Sequence, residues 1–148
     1  WLAEGRSPRF VAAQATGSAP IVKAFEEGTT ESVAWPDPET MAAGIRVPKA
    51  LGDFLVLRAL RESGGTAVAV TEPEIADAMR LAGEREGLCV LPEGGAALAA
   101  ARSLARDGWI RPGEEVVVFN TGSGLLYSES LQGAAPVRLA AGEDLPAA

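Results

Sequence analysis

The sequence predicts an α/β fold with a mostly parallel sheet. Short apolar or β-branched runs at 67–70, 88–91 and 115–119 alternate with stretches of helical periodicity, and glycines or prolines punctuate nearly every junction. Strands that alternate with helices of this length need crossover connections, which pack the helices on the sheet faces.

Taken in order, Arg9 to Gln14 reads as a first strand, and Thr16-Gly17-Ser18-Ala19-Pro20 turns into a helix over 19–27. Ser18 is the candidate N-cap, Pro20 suits the first turn, and Gly28 stops the helix after Ile21, Ala24 and Phe25 have lined one face. Residues 28–39 are polar and Thr-rich and carry Pro36 and Pro38, so they form a loop, with Trp35 packed.

From Pro48 to Glu62 a second helix is expected with Leu51, Phe54, Leu55 and Ala59 inward, ended by Ser63-Gly64-Gly65. Ala67 to Val70 is a strand. Thr71 and Glu74 then have the spacing of a capping box, opening a helix that turns Ile75, Met79 and Ala82 inward and ends by Gly87. Leu88 to Leu91 reads as another strand. Pro92-Glu93-Gly94-Gly95 opens a small-residue helix with Ala97, Ala101, Leu104 and Ala105 on one face and Gly108 as its stop. Pro112-Gly113 turns into a last strand at 115–119, whose end, Asn120-Thr121-Gly122-Ser123-Gly124, delivers two hydroxyls on a glycine loop.

At 148 residues the chain is about one domain long. Its net charge of -7, without a basic cluster, argues against nucleic-acid and membrane-surface partners, because phosphate neutralisation needs grouped Lys and Arg. The single Cys89, in an apolar run, reads as a buried free thiol and suits a reducing cytoplasm. No apolar run approaches the roughly 20 residues that span a bilayer. The start at Trp1, without a cap or turn to begin a domain, suggests a piece of a longer polypeptide.

The Asn120-Thr121-Gly122-Ser123-Gly124 stretch resembles the strand-to-loop signature of threonine synthases, pyridoxal-phosphate enzymes of fold type II. Gln14 to Pro20, Thr40 to Pro48, Ser63-Gly64-Gly65 and Pro92 to Ala97 resemble further segments of that family in the same order, so the resemblance covers roughly residues 8–127. It implies the C-terminal part of a tryptophan-synthase-β-like cofactor domain over 1–127; the stretch over 128–148, rich in Ala, Gly and Pro, reads by composition as a loosely packed tail. The resemblance also implies a lyase of threonine biosynthesis that converts O-phosphohomoserine and water to threonine and phosphate, is a homodimer when full length, and takes a small amino-acid substrate.

For the site, the resemblance places Thr121 on the pyridine nitrogen of pyridoxal 5'-phosphate, with Ser123, Gly44 and Glu93 as further cofactor contacts. Turn stabilisation is the alternative for Ser123, a plain glycine turn for Gly44, and a first-turn helix residue for Glu93. Asn120 is expected to bond backbone. A hydroxyl on the ring nitrogen makes the cofactor a weaker electron sink than a carboxylate would, which favours elimination and replacement at the β or γ carbon.

Only two lysines are present, Lys23 and Lys49, and neither has the family's Schiff-base context. The family's phosphate loop is also missing, so the chain by itself should be inactive, and no catalytic or metal residue is assigned. Two positions depart from the family pattern. Leu126 stands where threonine synthases carry Lys, and Leu91 where dehydratases carry Glu. Three other readings remain: another fold type II enzyme, such as a dehydratase or β-replacing synthase; a stand-alone non-catalytic module; and a nucleotide-binding domain using the Gly122 and Gly124 loop.

Overall fold

A computed structural model describes residue 5 and residues 7–126. The elements run β1 (Val11–Ala15), α1 (Pro20–Glu26), a 3-10 turn (Ala43–Ile45), α2 (Asp53–Glu62), β2 (Thr66–Val70), α3 (Glu72–Glu86) and α4 (Pro92–Arg106). β1 and β2 pair in parallel, in a register that sets Ala12 beside Ala67 and Ala13 beside Val68.

Because side chains alternate across a strand, these pairs point to opposite faces. Ala12 and Ala67 pack with Ile21, Ala24, Leu57 and Leu60 under α1 and α2. Ala13, Ala15, Val68 and Val70 pack with Ile75, Ala78, Ala96, Ala99 and Ala100 under α3 and α4. The result is three layers, helix on sheet on helix. Leu57, Leu60 and Ile75 are fully buried, and removal of each such side chain from water contributes about 1.5–3 kcal/mol.

Local signals behave as read. The Thr71–Glu74 capping box forms reciprocally, and the Thr71 N–H, followed by its hydroxyl, holds the Glu74 carboxyl below the usual range. Gly28, Gly87 and Gly108 all take positive φ at helix ends.

Several expectations are corrected. Ser18 does not cap α1; Gln14 Oε1 accepts from Ile21 N at 2.8 Å and Val22 N at 3.2 Å instead. α2 begins at Asp53, and its inward stripe is Asp53, Leu57 and Leu60, while Leu51 is wholly exposed and Phe54 and Leu55 about half exposed. The reason is the buried Asp53 carboxylate, which anchors the helix start to Ser32 and so sets its rotation. α4 is likewise turned by about one residue: Ala96, Ala99, Ala100 and Leu104 are inside, and Ala105 is exposed. An Ala-rich sequence marks no face by size.

The runs 88–91 and 115–119 form no ladder among the described residues. Residues 116–119 form no regular element, and Val117 and Phe119 are largely exposed, since no described strand lies beside them to satisfy their backbone. Val90 makes one antiparallel bridge to Ser123. Cys89 is exposed rather than buried, because the run, held by the Val90 bridge, buries Val90 and Leu91 and leaves Leu88 and Cys89 outside. The tail expected over 128–148 lies outside the described residues. No described helix is long and apolar enough to cross a membrane.

Candidate functional site

Both strands end, at Ala15 and Val70, on the side where α3 and α4 begin, the edge at which open α/β sheets place ligands. Two loops meet the first turn of α4 there. One is the 3-10 turn Ala43–Ile45; the other is the 120–124 loop.

The turn reaches α4 through Gly44 and Glu93, two residues singled out separately in the sequence. Gly44 N donates to Glu93 Oε1 at 2.6 Å. A Cβ on Gly44 would lie 2.8 Å from that oxygen and 3.2 Å from Glu93 Cδ, so any side chain there would push the Glu93 carboxyl out of its present position. Glu93 is second in α4, where the helix dipole favours its charge. Its other oxygen, Oε2, is buried with no hydrogen-bond partner among the described residues.

The 120–124 loop is fastened by Asn120, whose Oδ1 accepts from Leu91 N at 3.3 Å and whose Nδ2 donates to Gly122 O at 2.7 Å. Asn120 therefore bonds backbone, as its sequence suggests. Its amide sits against Gly94, where a Cβ would collide with Oδ1. Gly124 N donates to Cys89 O at 2.9 Å, completing the attachment. Thr121 is exposed on this loop, and its hydroxyl makes no hydrogen bond among the described residues. Ser123 is also exposed; its Oγ accepts from Leu125 N at 3.3 Å, a local turn contact.

The structure thus brings Gly44 and Glu93 into contact and fixes Thr121 and Ser123 on the loop beside them. Neither lysine makes a described contact with these four residues. Lys23 pairs with Glu27 on α1, and Lys49 with Glu31 and Asp53. The sequence reading missed Glu72, the first residue of α3, whose Oε2 accepts from Met41 N at 2.9 Å. Its capping-box neighbourhood hid it as an ordinary first-turn acid. Among the described residues no group of three His, Cys, Asp or Glu side chains could hold a metal ion.

The chain is 36% identical over 118 residues to threonine synthase of Methanocaldococcus jannaschii, covering 80% of this chain and 29% of that protein. It is 40% identical over 115 residues to the Methanosarcina acetivorans threonine synthase, covering 78% and 28%. The chain therefore spans under a third of the length of these relatives. In fold it is similar to maize serine racemase, with a TM-score of 0.60 at 23% identity over 82% of this chain and 37% of that one. It is also similar to the T.th. threonine deaminase, with a TM-score of 0.55 at 23% identity over 65% and 34%. The family profile described as pyridoxal-phosphate dependent enzyme matches residues 2–122, a span that includes Gly44, Glu93 and Thr121. On that match, the chain belongs to the pyridoxal-phosphate dependent enzyme family.

Proposed function

We propose that this chain is part of a threonine synthase, a lyase that forms threonine and phosphate from O-phosphohomoserine and water. The observation that carries the reading is the convergence of the 43–45 turn and the 120–124 loop on the first turn of α4, in a chain 36–40% identical to threonine synthases.

The residues present fit one edge of pyridoxal phosphate. Thr121 offers an exposed hydroxyl without a described partner, suited to the ring nitrogen, and Gly44, whose missing Cβ leaves room for the Glu93 carboxylate, lets that acid fix the backbone of the 43–45 turn. When bound, the cofactor supplies an electron sink for carbon-bond cleavage next to the amino group. The chain's share is to bind and orient: Asn120 holds the loop so that the Thr121 hydroxyl stays in place, and Glu93 holds the turn at Gly44. A neutral hydroxyl leaves the ring nitrogen less able to carry positive charge than a carboxylate would, which suits elimination and replacement. The lysine that binds the aldehyde belongs, on this reading, to another part of the polypeptide, and the chain alone is inactive.

The test is phosphate release from O-phosphohomoserine by the complete polypeptide carrying this chain, loaded with pyridoxal phosphate. Release with equimolar threonine supports the reading. Ammonia and keto acid from serine or threonine, without phosphate release, would move it to a dehydratase. Borohydride reduction followed by intact-mass measurement locates the lysine: a single cofactor adduct on a species well above 15.2 kDa is expected, and none on this chain alone.

A further inference from the structure

The turn at 41–45 is held by two helices at once. Glu72 Oε2 takes Met41 N at 2.9 Å from the start of α3, and Glu93 Oε1 takes Gly44 N at 2.6 Å from the start of α4. Between them, Ala42 N donates to the buried Thr40 Oγ1 at 3.1 Å, and Ala43 N and Ile45 N bond Met41 O and Ala42 O, both at 3.0 Å. Arg46 N closes the series on Ala43 O at 3.2 Å. Every amide from 41 to 46 thus has an acceptor within the chain, so the turn's shape is over-determined rather than left to solvent.

Both carboxylates have the same form. One oxygen is spent on the turn, and the other, Glu72 Oε1 or Glu93 Oε2, is buried with no hydrogen-bond partner among the described residues. Each acid sits in the first turn of a helix of fifteen residues, where the aligned peptide dipoles stabilise negative charge. That placement lets each side chain act as an anionic acceptor aimed at a backbone N–H, a stronger bond than a neutral one. The fit at Gly44 is close on the carboxylate side, with Glu93 Oε1, Cδ and Cγ 2.8, 3.2 and 3.3 Å from where a Cβ would be. Gly44 and Glu93 therefore work as a matched pair.

We propose that Glu72 and Glu93 are positioning residues forming a two-carboxylate clamp. The clamp sets the 41–45 turn against the cofactor, and Glu93 acts through Gly44 instead of touching the cofactor itself. This rests on the reading that the turn borders the pyridoxal phosphate site, and not on which substrate the enzyme takes.

The experiment is a pyridoxal phosphate titration, followed by cofactor absorbance, of the complete polypeptide and its E93A, E93Q, G44A and E72A variants. Glutamine retains an oxygen that accepts from Gly44 N, and alanine does not. E93A is expected to weaken cofactor binding about tenfold, the scale of one hydrogen bond to a charged group, and E93Q to recover to within about threefold of the parent. G44A should match E93A, and E72A should weaken binding in the same sense. With substrate, the loss should appear in kcat more than in KM. Equal losses in E93A and E93Q would overturn the clamp, because charge at the ligand and not the bond to Gly44 would then matter. Unchanged affinity in E93A would overturn it too. Should E93A not fold, G44A decides, and unchanged affinity there sinks the proposal. A parent that binds cofactor but releases no phosphate would end the threonine synthase reading while leaving this comparison intact.

Discussion

Asn120 and Leu91 are joined across 29 positions of sequence by a hydrogen bond of 3.3 Å from Leu91 N to Asn120 Oδ1, so one amide both occupies a free N–H at the start of α4 and anchors the 120–124 loop. N120A removes this bond and the one to Gly122 O. At roughly 1 kcal/mol for each neutral bond, a loss of about 1–2 kcal/mol in unfolding free energy is expected from urea titration. N120D keeps the acceptor for Leu91 and loses the donor to Gly122, so it should fall between parent and N120A. A loss in N120D equal to that in N120A would show that the Gly122 bond is the one that holds the loop.

Gly94 is the other half of this attachment. G94A would place a methyl where the Asn120 amide sits, and overpacking of this kind costs about 1–3 kcal/mol. Once Asn120 is already Ala, that collision is gone. The double variant should therefore lose less than the sum of the two single variants, a coupling read from a double-mutant cycle. Strict additivity would mean that the two residues do not share the space seen in the structure.

Features set within a turn of helix were legible in the sequence, and features set by distant contacts were not. The Thr71–Glu74 box needs only its own three-residue spacing. The parallel pairing was legible as a class from strand and helix alternation. By contrast, α2 faces inward with Leu57 and Leu60 because Ser32, 21 residues away, seizes Asp53; periodicity saw only a broad apolar stripe containing Leu51, Phe54 and Leu55. At the site, Gly44 and Glu93 were each marked by a family-like motif, yet their contact spans 49 positions and is visible only in three dimensions. Glu72 carried no mark at all, since a glutamate in a first turn is ordinary until the partner of its oxygen is known.

Gln14 shows the same non-local substitution at α1. Its Oε1 accepts from both Ile21 N and Val22 N, doing from the end of β1 what an N-cap side chain does locally. Q14A should cost about 1 kcal/mol, in the range of a lost N-cap. Q14E retains the acceptor and adds negative charge at a helix start, so it should match or exceed the parent at neutral pH. Urea midpoints of the three proteins decide it, and an S18A variant serves as the contrast: the Ser18 hydroxyl makes no cap bond, so its removal should not reproduce the Q14A loss.

The acid limb of stability should carry the signature of Asp53. The Ser32 hydroxyl at 2.6 Å, then the Ser32 N–H at 2.8 Å, hold its carboxyl below the usual range against the opposing effect of burial, with the Phe54 N–H and Lys49 adding less. Its folded-state pKa is lower than its unfolded value near 3.8. Its contribution is thus fully present above that value and is lost as pH falls through it towards the folded value. D53N removes the charge while leaving an oxygen for Ser32. Its stability should lie below the parent's at pH 7, and the gap should narrow as pH falls below about 3.8, as the parent loses what the variant never had. Glu74 and Glu114 are lowered as well, by the Thr71 and Arg111 backbone N–H groups first, but both proteins share them, so the difference between the two curves isolates Asp53. A gap that stays constant down to pH 3 would assign Asp53 a role of shape rather than charge. K49A should change the curve little, because the ammonium lies 3.9 Å away and is the last of the influences on this carboxylate.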